Sequence, residues 1–213
     1  MQRAIPPTVV EEALKAKLDD IILRWVHRSA AGILQSAELM DVLGKRLNIA
    51  DRVSSPKVSS KGIKKNRIRE ILSKQEDPMG YLYKLINRLE ELEQRERELY
   101  NFVLLEISDI QDGLGEIAKR IKRLSAESQV IYWRQYKKIR SNFDIIVGNC
   151  EAFRIEKRAG DDLLGVAERV LKASLEKRQD SKAESKSSSE VEAKRPVDGV
   201  SPQIKSPHVS LSI

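Results

Sequence analysis

The feature that most constrains the fold of this chain is a ladder of apolar residues in its middle third. Leucine, isoleucine and valine recur there at intervals of three and four residues, which is the spacing of one face of a helix that packs against another helix. Glu96 fills one position of the ladder, and two successive four-residue steps after Leu99 predict a stutter that locally relaxes a supercoil. The ladder comprises Leu85, Leu89, Leu92, Leu99, Val103, Ile107, Ile110, Leu114, Ile117, Ile121 and Leu124.

The helix that carries this ladder has a clear predicted start. Asp77 can cap the first turn, and Pro78 fits the first helical position, where its missing N–H is not needed. A helix unbroken over 78–140 would be about 90 Å long. Gly113 and Gly115 could mark a turn, but the ladder keeps its phase across them, which favours a continuous or slightly kinked helix. A coiled-coil-like helix is therefore predicted, with a helical hairpin as the alternative.

Shorter helices are predicted on either side of the long one. The N-terminal segment, 1–53, has an apolar stripe that weakens at 29–32, which predicts two helices there. Serine, proline and lysine in 54–77 predict a basic loop with one short helix. A C-terminal helical segment is predicted over 141–178, and the Ser, Lys and Glu content of 179–213 predicts a disordered tail. The predicted class is all-α, with a long central amphipathic helix, short flanking helices and a disordered C-terminal tail.

Composition narrows the classes of function. The chain is 33% charged and only 5% aromatic, with a net charge of +7, which is typical of long helices and favours acidic partners such as nucleic acid. A single cysteine, Cys150, predicts a reducing compartment, and no apolar run is long enough for membrane insertion, so we expect a cytoplasmic protein. Histidine, cysteine and carboxylate residues lack the spacing of metal or catalytic sites. We therefore expect a chain that is not an enzyme and that uses no cofactor, metal or small-molecule substrate.

The positive charge is concentrated in two segments, 45–74 and 119–140, on either side of the acidic stretch 90–116. Clustered cations on a flexible loop can neutralise phosphates, which predicts nucleic-acid binding. A solvated linker, or basic ends that pair with the acidic middle of a second copy, are the alternatives. Trp133 and Tyr136 could stack on bases, although aromatic residues at helical spacing more often lie in a core. The candidate nucleic-acid contacts are Lys57, Lys61, Lys64, Lys65, Arg67, Arg69, Arg134, Lys137, Lys138 and Arg154.

The segment from Tyr136 onward resembles the second half of a sigma-factor region-4 type helix-turn-helix, and 39–53 has similar spacing. Together with the coiled region and the Ser/Pro/Lys/Gly loop, this pattern is similar to ArpU/RinA-type phage late transcription regulators. The resemblance implies DNA binding with the second helix in the major groove. It is carried by Tyr136, Ile139, Phe143, Ile145, Gly148, Cys150, Arg154, Arg158, Ala159 and Leu163.

Two functions follow as expectations. The first is a regulator that binds DNA through its basic segments and self-associates through the ladder. The second is a coiled-coil scaffold or adaptor that acts through helix–helix protein contacts, in which the basic loop is incidental. In both, we expect the ladder to be covered by a second copy or by a helical protein partner. Salt distinguishes them, because phosphate binding weakens steeply as salt rises whereas apolar burial does not.

Overall fold

The structure, a computed structural model, describes residues 7–54, 56–58 and 64–192, with side chains over 8–54 and 67–180. Nearly all of these residues are helical, so the predicted all-α class is confirmed. By its internal contacts the chain divides into two units, Met1–Ser174 and Leu175–Ile213. Among the described helices, none has an apolar stretch of the length needed to cross a membrane. The elements are α1 (Pro7–Ser54), β1 (Pro56–Val58), β2 (Lys64–Asn66), α2 (Arg67–Leu72), α3 (Pro78–Ile121) and α4 (Ala126–Glu192).

The N-terminal segment forms one helix of 48 residues, α1, where two helices were predicted. Its core-facing positions alternate by three and four from Leu18 to Val53, and small residues occupy three of them. These three residues, Ser29, Gly32 and Ser36, are buried, and both serine hydroxyls donate to the carbonyl oxygen three residues earlier in the helix. The weak apolar pattern therefore marks a polar stretch of the core and not the end of a helix.

The long central helix, α3, begins at Pro78 as predicted. The Gly80 N–H donates to Asp77 Oδ1 at 2.9 Å, which is the expected capping bond. The helix passes through both central glycines without a turn, so the prediction of a continuous helix is confirmed. It ends at Ile121, however, and α4 begins at Ala126. The prediction that the helix extends to about residue 140 is wrong.

The core-facing side of α3 alternates regularly, and the predicted stutter is absent. Glu106, and not Ile107, takes the core position that follows Val103. Glu106 is buried while Ile107 is only partly buried, so the three-four alternation continues unbroken. A glutamate was missed at this position because a charged side chain is rarely buried unless a partner is present to pair with it.

Within the first unit, α1, α3 and α4 pack around one apolar core. Asn142 and Asn149 of α4 bond to Ser29 and Ser36 of α1. Because the residue numbers rise together along both helices, α1 and α4 run parallel.

The third helix of this core, α3, runs antiparallel to α1. Arg28 bonds to Glu106, whereas Arg46, further along α1, bonds to Glu96, nearer the start of α3. The ladder of α3 is thus covered by α1 and α4 of the same chain. The prediction that the ladder forms a seam with a second chain is corrected accordingly: its side chains are enclosed by the chain's own helices.

Residues 126–192 form a single helix of 67 residues, α4. It contains the whole of 136–163, and α1 contains the whole of 39–53. Neither segment therefore has the turn that a helix-turn-helix requires, and that predicted geometry is wrong. The two flanking helices are long, not short. Helix α4 also continues to Glu192, into the predicted tail, while 193–213 lie outside the described residues.

The predicted basic loop, 54–77, contains local structure. Strands β1 and β2 pair antiparallel, with Lys57 opposite Lys65. Helix α2 follows and corresponds to the short helix predicted there. Ile68 and Leu72 of α2 are buried, so apolar contacts hold this short helix against the bundle.

Candidate interaction surfaces

Neutral polar contacts join α1 and α4 at a constant separation in sequence. Asn142 Nδ2 donates to Ser29 Oγ at 3.0 Å, and Asn149 Nδ2 donates to Ser36 Oγ at 2.9 Å, each pair being 113 residues apart. The two pairs lie one heptad apart on both helices. They specify the register, because a shift by one heptad would place one asparagine against an apolar residue of α1.

The same two helices approach each other closely at glycines. A Cβ atom at Gly32 would lie 2.7 Å from Cδ1 of Ile146, and one at Gly160 would lie 2.3 Å from Cδ2 of Leu47. Both distances are shorter than van der Waals contact. One glycine belongs to α1 and the other to α4, so each helix accommodates a large side chain of its neighbour.

Two ionisable residues, Glu11 of α1 and Tyr132 of α4, lie where the start of α1 meets the start of α4. Glu11 Oε1 accepts hydrogen bonds from Ser125 Oγ at 2.6 Å and from Ser128 Oγ at 3.0 Å. These bonds, with Ser125 contributing most, lower the pKa of the Glu11 carboxyl to about 2. Burial, assisted by a hydrogen bond with Asp19, raises the pKa of Tyr132 to about 12. Glu11 is held as the anion and Tyr132 as the phenol, which suits structural roles.

Charged residues from all three helices meet in one buried layer. Glu96 of α3 is fully buried and accepts hydrogen bonds from Arg46 Nη1 at 3.0 Å and from Lys157 Nζ at 2.5 Å. Arg46 also lies within 3.3 Å of Glu93 and 3.7 Å of Glu168. We name Arg46, Glu96 and Lys157 the ionic layer. It links α1, α3 and α4 at a single level of the bundle.

A second ionic cluster lies between α1 and α3. Arg28 donates two hydrogen bonds of 2.8 Å to Glu106 and a further bond to Asp109. These carboxylates, Glu106 most of all, raise the pKa of Arg28 above its ordinary value. The guanidinium lies 5.1 Å from the centre of the Trp25 ring, and that ring packs against Gly113, where a Cβ atom would lie 2.4 Å away. The arginine is therefore held in one position.

An exposed apolar patch lies between this cluster and a further ion pair. At the far end, Arg95 Nη2 donates to Glu38 Oε1 at 2.8 Å, and this carboxylate raises the pKa of Arg95. Helix α1 carries no charged residue between Arg28 and Glu38. We name four of the exposed apolar residues between the two ionic contacts the framed patch. It consists of Ala31, Leu34, Phe102 and Leu105.

The framed patch is well exposed, and its residues on α1 lie at the same height along the bundle as its residues on α3. Leu34, Leu105 and Phe102 are 73%, 65% and 40% exposed. Since Arg28 lies beside Asp109 and Glu38 beside Arg95, the antiparallel register places Leu34 level with Phe102 and Ala31 level with Leu105. The patch therefore spans the groove and does not belong to one helix alone.

The candidate nucleic-acid residues do not come together on one surface. The α1–α4 register sets Arg134 level with Ile21, whereas α2 packs near the end of α1, beside Ile49 and Val53. Arg134, Lys137 and Lys138 are therefore about 40 Å from α2 along α1, and Arg154 lies between them, level with Asp41. Arg69, Arg134, Lys137, Lys138 and Arg154 are exposed and Arg67 is half-buried, while the side chains of Lys57, Lys61, Lys64 and Lys65 lie outside the described residues.

A dense group of basic residues lies where α3 leads into α4. Two of its arginines, Arg120 and Arg140, pair with Glu116 and Asp144. Six further cations are exposed and form no ion pair with any residue that the structure describes. We name these six the basic end: Lys119, Lys122, Arg123, Arg134, Lys137 and Lys138.

The aromatic residues near the basic end face the core. Trp133 and Tyr136 are partly buried against the core, with ring centres 5.0 Å apart in an edge-to-face arrangement. The core interpretation of these two residues is confirmed, and their rings are not stacking platforms for bases.

Candidate catalytic groups are few. Over the side chains that the structure describes, no three His, Cys, Asp or Glu residues are grouped so as to hold a metal ion. Cys150 is buried, and burial raises the pKa of its thiol, which weakens it as a nucleophile. A cavity of about 10 Å³ beside Ile71 and Tyr81 has room for a water molecule and no substrate.

The framed patch was missed at the level of sequence, although a signal for it exists. Leu105 and Phe102 fall outside the phase of the ladder, and 29–37 contains no charged residue in a chain that is one-third charged. Apolar residues out of phase with a ladder, level with an uncharged stretch of the neighbouring helix, indicate an exposed apolar surface.

Comparison with known proteins provides no relative for this chain. No protein-family model matches it, and neither a curated protein nor a solved structure gives a significant match. Its function is therefore inferred from the surfaces described above.

Proposed function

We propose that this chain is a non-catalytic helical scaffold that binds a helical protein partner through the framed patch. The observation that carries the proposal is an apolar surface on a rigid support, with ionic contacts holding α1 and α3 together at both of its ends. Removing apolar surface from water contributes about 25 cal/mol per Å², so these exposed side chains favour a partner. The charges at the ends orient that partner.

The interior of the bundle also supports a binding site on its outer surface. The ladder of α3 is enclosed by α1 and α4, so it offers nothing to a partner. Buried polar groups bond to one another across helices, as Glu96 does with Arg46 and Lys157. A catalytic side chain must be able to contact its substrate. The buried side chains that pair with one another inside the bundle cannot make that contact. The proposal places the chain in the cytoplasm, where the thiol of Cys150 stays reduced.

Site-specific photo-cross-linking tests the proposal. Benzoylphenylalanine is introduced at Leu105 in the full chain, and the chain is irradiated in cells that produce it. The matched control carries the same residue at Ile155, which is 71% exposed on α4. We expect discrete protein adducts from position 105 and none from position 155. The absence of adducts at position 105, or the same adducts from both positions, would contradict the proposal.

Binding of nucleic acid is the second candidate function, and the basic end is the observation that favours it. Six exposed cations that form no ion pair with the described residues make an electrostatic surface that suits a phosphate backbone. As a DNA-binding regulator, the chain would use this end of the bundle and not a helix-turn-helix.

Charge reversal tests this second candidate. Arg134, Lys137 and Lys138 are changed together to Glu, and a control variant carries the same change at Arg24, Lys45 and Arg88, which are exposed and locally paired. Gel shifts on generic duplex DNA are measured over a range of salt concentrations. We expect the first variant to lose binding and the control to keep it, with a wild-type log-log salt slope of about −3 or steeper. Equal losses would show a response to net charge alone and contradict a site at this end.

A further inference from the structure

The framed patch has charges of alternating sign at its four corners. Arg28 lies beside Asp109 at one end, and Glu38 lies beside Arg95 at the other. A two-fold axis parallel to the helices would set α1 of one copy against α3 of a second copy. Arg28 then faces the partner's Asp109, and Glu38 faces the partner's Arg95. Each corner charge meets its opposite, so the patch is complementary to itself.

The apolar centre obeys the same symmetry. This axis sets Leu34 opposite the partner's Phe102 and Ala31 opposite the partner's Leu105, so that a small side chain meets a large one. A two-fold axis perpendicular to the helices would instead set Arg28 against the partner's Glu38 and Arg95 against the partner's Asp109, so opposite charges meet about that axis as well. The parallel axis alone sets residue 95 against the partner's Glu38, so a charge swap at these two positions distinguishes the two axes.

We propose that the framed patch is a homodimer interface, occupied by a second copy of this chain about a two-fold axis parallel to the helices. The inference rests on the proposed scaffold function and names its partner. The patch is about 15 Å long between its ionic ends. Such a surface is smaller than a standard interface of about 800 Å² per partner, so the dimer is weak, with a Kd on the order of 10 μM.

Sedimentation equilibrium on the full chain provides the first test, at concentrations from about 1 to about 500 μM. We expect the mass to rise from 24.2 kDa toward twice that value, 48.4 kDa. The double variant Leu34→Glu/Leu105→Glu is expected to stay monomeric, because its new carboxylates would be buried against apolar side chains. The control Ile155→Glu changes a comparably exposed residue elsewhere and is expected to dimerise as the wild type does. Circular dichroism verifies that each variant is folded.

A charge swap tests the geometry. Arg95→Glu should raise the Kd by about tenfold or more, because the carboxylate at position 95 then faces the partner's Glu38. Adding Glu38→Arg restores opposite charges both within the chain and between copies about the proposed axis. The double variant should therefore return the Kd to within about threefold of the wild-type value.

The outcomes separate this inference from the scaffold function on which it rests. A wild-type mass of 24.2 kDa at every concentration overturns the dimer. So does a dimer that is unaffected by Leu34→Glu/Leu105→Glu, or a charge swap that fails to rescue Arg95→Glu. If the chain is monomeric but the cross-linker at Leu105 still captures a different protein, the scaffold function stands and the second copy is excluded as its partner.

Discussion

The two sides of the bundle are joined by different chemistry. Helices α1 and α4 run parallel and meet in the middle of their contact through neutral groups, as where Asn142 bonds to Ser29. Charged groups join these two helices only toward the ends of the described contact, as where Glu11 accepts from Ser128 and Arg46 lies near Glu168. Helix α3 runs antiparallel to α1 and is held to its neighbours by charges, as where Glu96 lies between Arg46 and Lys157. Neutral polar groups cost far less to bury than charges do. The neutral side therefore sets register at small cost, while the charged side depends on every partner being present.

This difference predicts how each side responds to the loss of one group. A neutral hydrogen bond contributes about 1 kcal/mol net, because folding exchanges bonds with water for bonds within the protein. Removing one partner from a buried ion pair costs about 3–5 kcal/mol, because the remaining charge stays desolvated. Mutations on the two sides should therefore differ severalfold in effect.

The largest effect is expected from Glu96→Ala. This change leaves Arg46 and Lys157 without their shared carboxylate, and Arg46 is buried. We expect the free energy of unfolding to fall by about 3–5 kcal/mol. Urea unfolding followed by circular dichroism measures the loss. The control Glu93→Ala removes a more exposed carboxylate that also contacts Arg46 and should cost less than about 1 kcal/mol. An equal loss of unfolding free energy in Glu96→Ala and Glu93→Ala would contradict the proposed importance of the ionic layer for stability.

A matched pair of glycines tests packing on the charged side without changing any charge. At Gly113 a methyl group would collide with the rigid ring of Trp25, whereas at Gly115 nothing lies within 4 Å. We expect Gly113→Ala to lower the free energy of unfolding by about 1–2 kcal/mol, since overpacking exceeds the gain in helix propensity. Gly115→Ala should raise it by about 0.5–1 kcal/mol. Thermal melting measures both variants, and a stabilising Gly113→Ala would contradict the close approach of Trp25.

The neutral side is tested by Asn149→Ala. This change removes the amide that donates to Ser36 Oγ, and we expect a loss of about 1 kcal/mol in the free energy of unfolding. The double variant Ser36→Ala/Asn149→Leu replaces both partners by apolar groups and should be close to neutral. With the single variants Ser36→Ala and Asn149→Leu, urea unfolding completes a double-mutant cycle that measures the coupling between the two positions. A loss as large as that of Glu96→Ala would erase the contrast between the two sides.

The smallest effect concerns pH and lies at the end of the neutral side. The pKa of Glu11 is about 2 in the folded chain, against 4.5 for the free group. A depressed folded-state pKa stabilises the fold above pH 4.5, and this contribution is lost as the pH falls toward 2. The difference in urea midpoint between wild type and Glu11→Gln should therefore shrink over that range. A difference that does not change with pH would show that Ser125 and Ser128 do not hold the carboxylate.

Features that depend on neighbouring residues could be predicted from the sequence. The start of α3 follows from Asp77 and Pro78, because a cap and its first turn are only a few residues apart. The apolar ladder identified a helix that needs covering, because helical period alone decides which side chains share a face. These inferences need no knowledge of what lies across the interface.

Features that depend on distant partners could not be predicted in this way. The small residues at 29–32 of α1 suggested a break, since serine and glycine favour turns and caps. They lie inside a continuous helix because Ser29 and Ser36 pair with groups 113 residues away. Glu106 was missed for the same reason, because its burial depends on Arg28. The framed patch exists only where the register of α1 and α3 aligns two exposed segments.

By itself, the sequence determined the helical class of this protein, the start of its central helix and the continuity of that helix through two glycines. The tertiary structure decided which helix covers the ladder, which polar residues are buried and which apolar residues remain exposed. The physical reason is the distance in sequence over which each effect acts. Helix propensity, capping and periodicity act within a few residues, whereas the environment of a polar or apolar side chain is set by whatever segment packs against it.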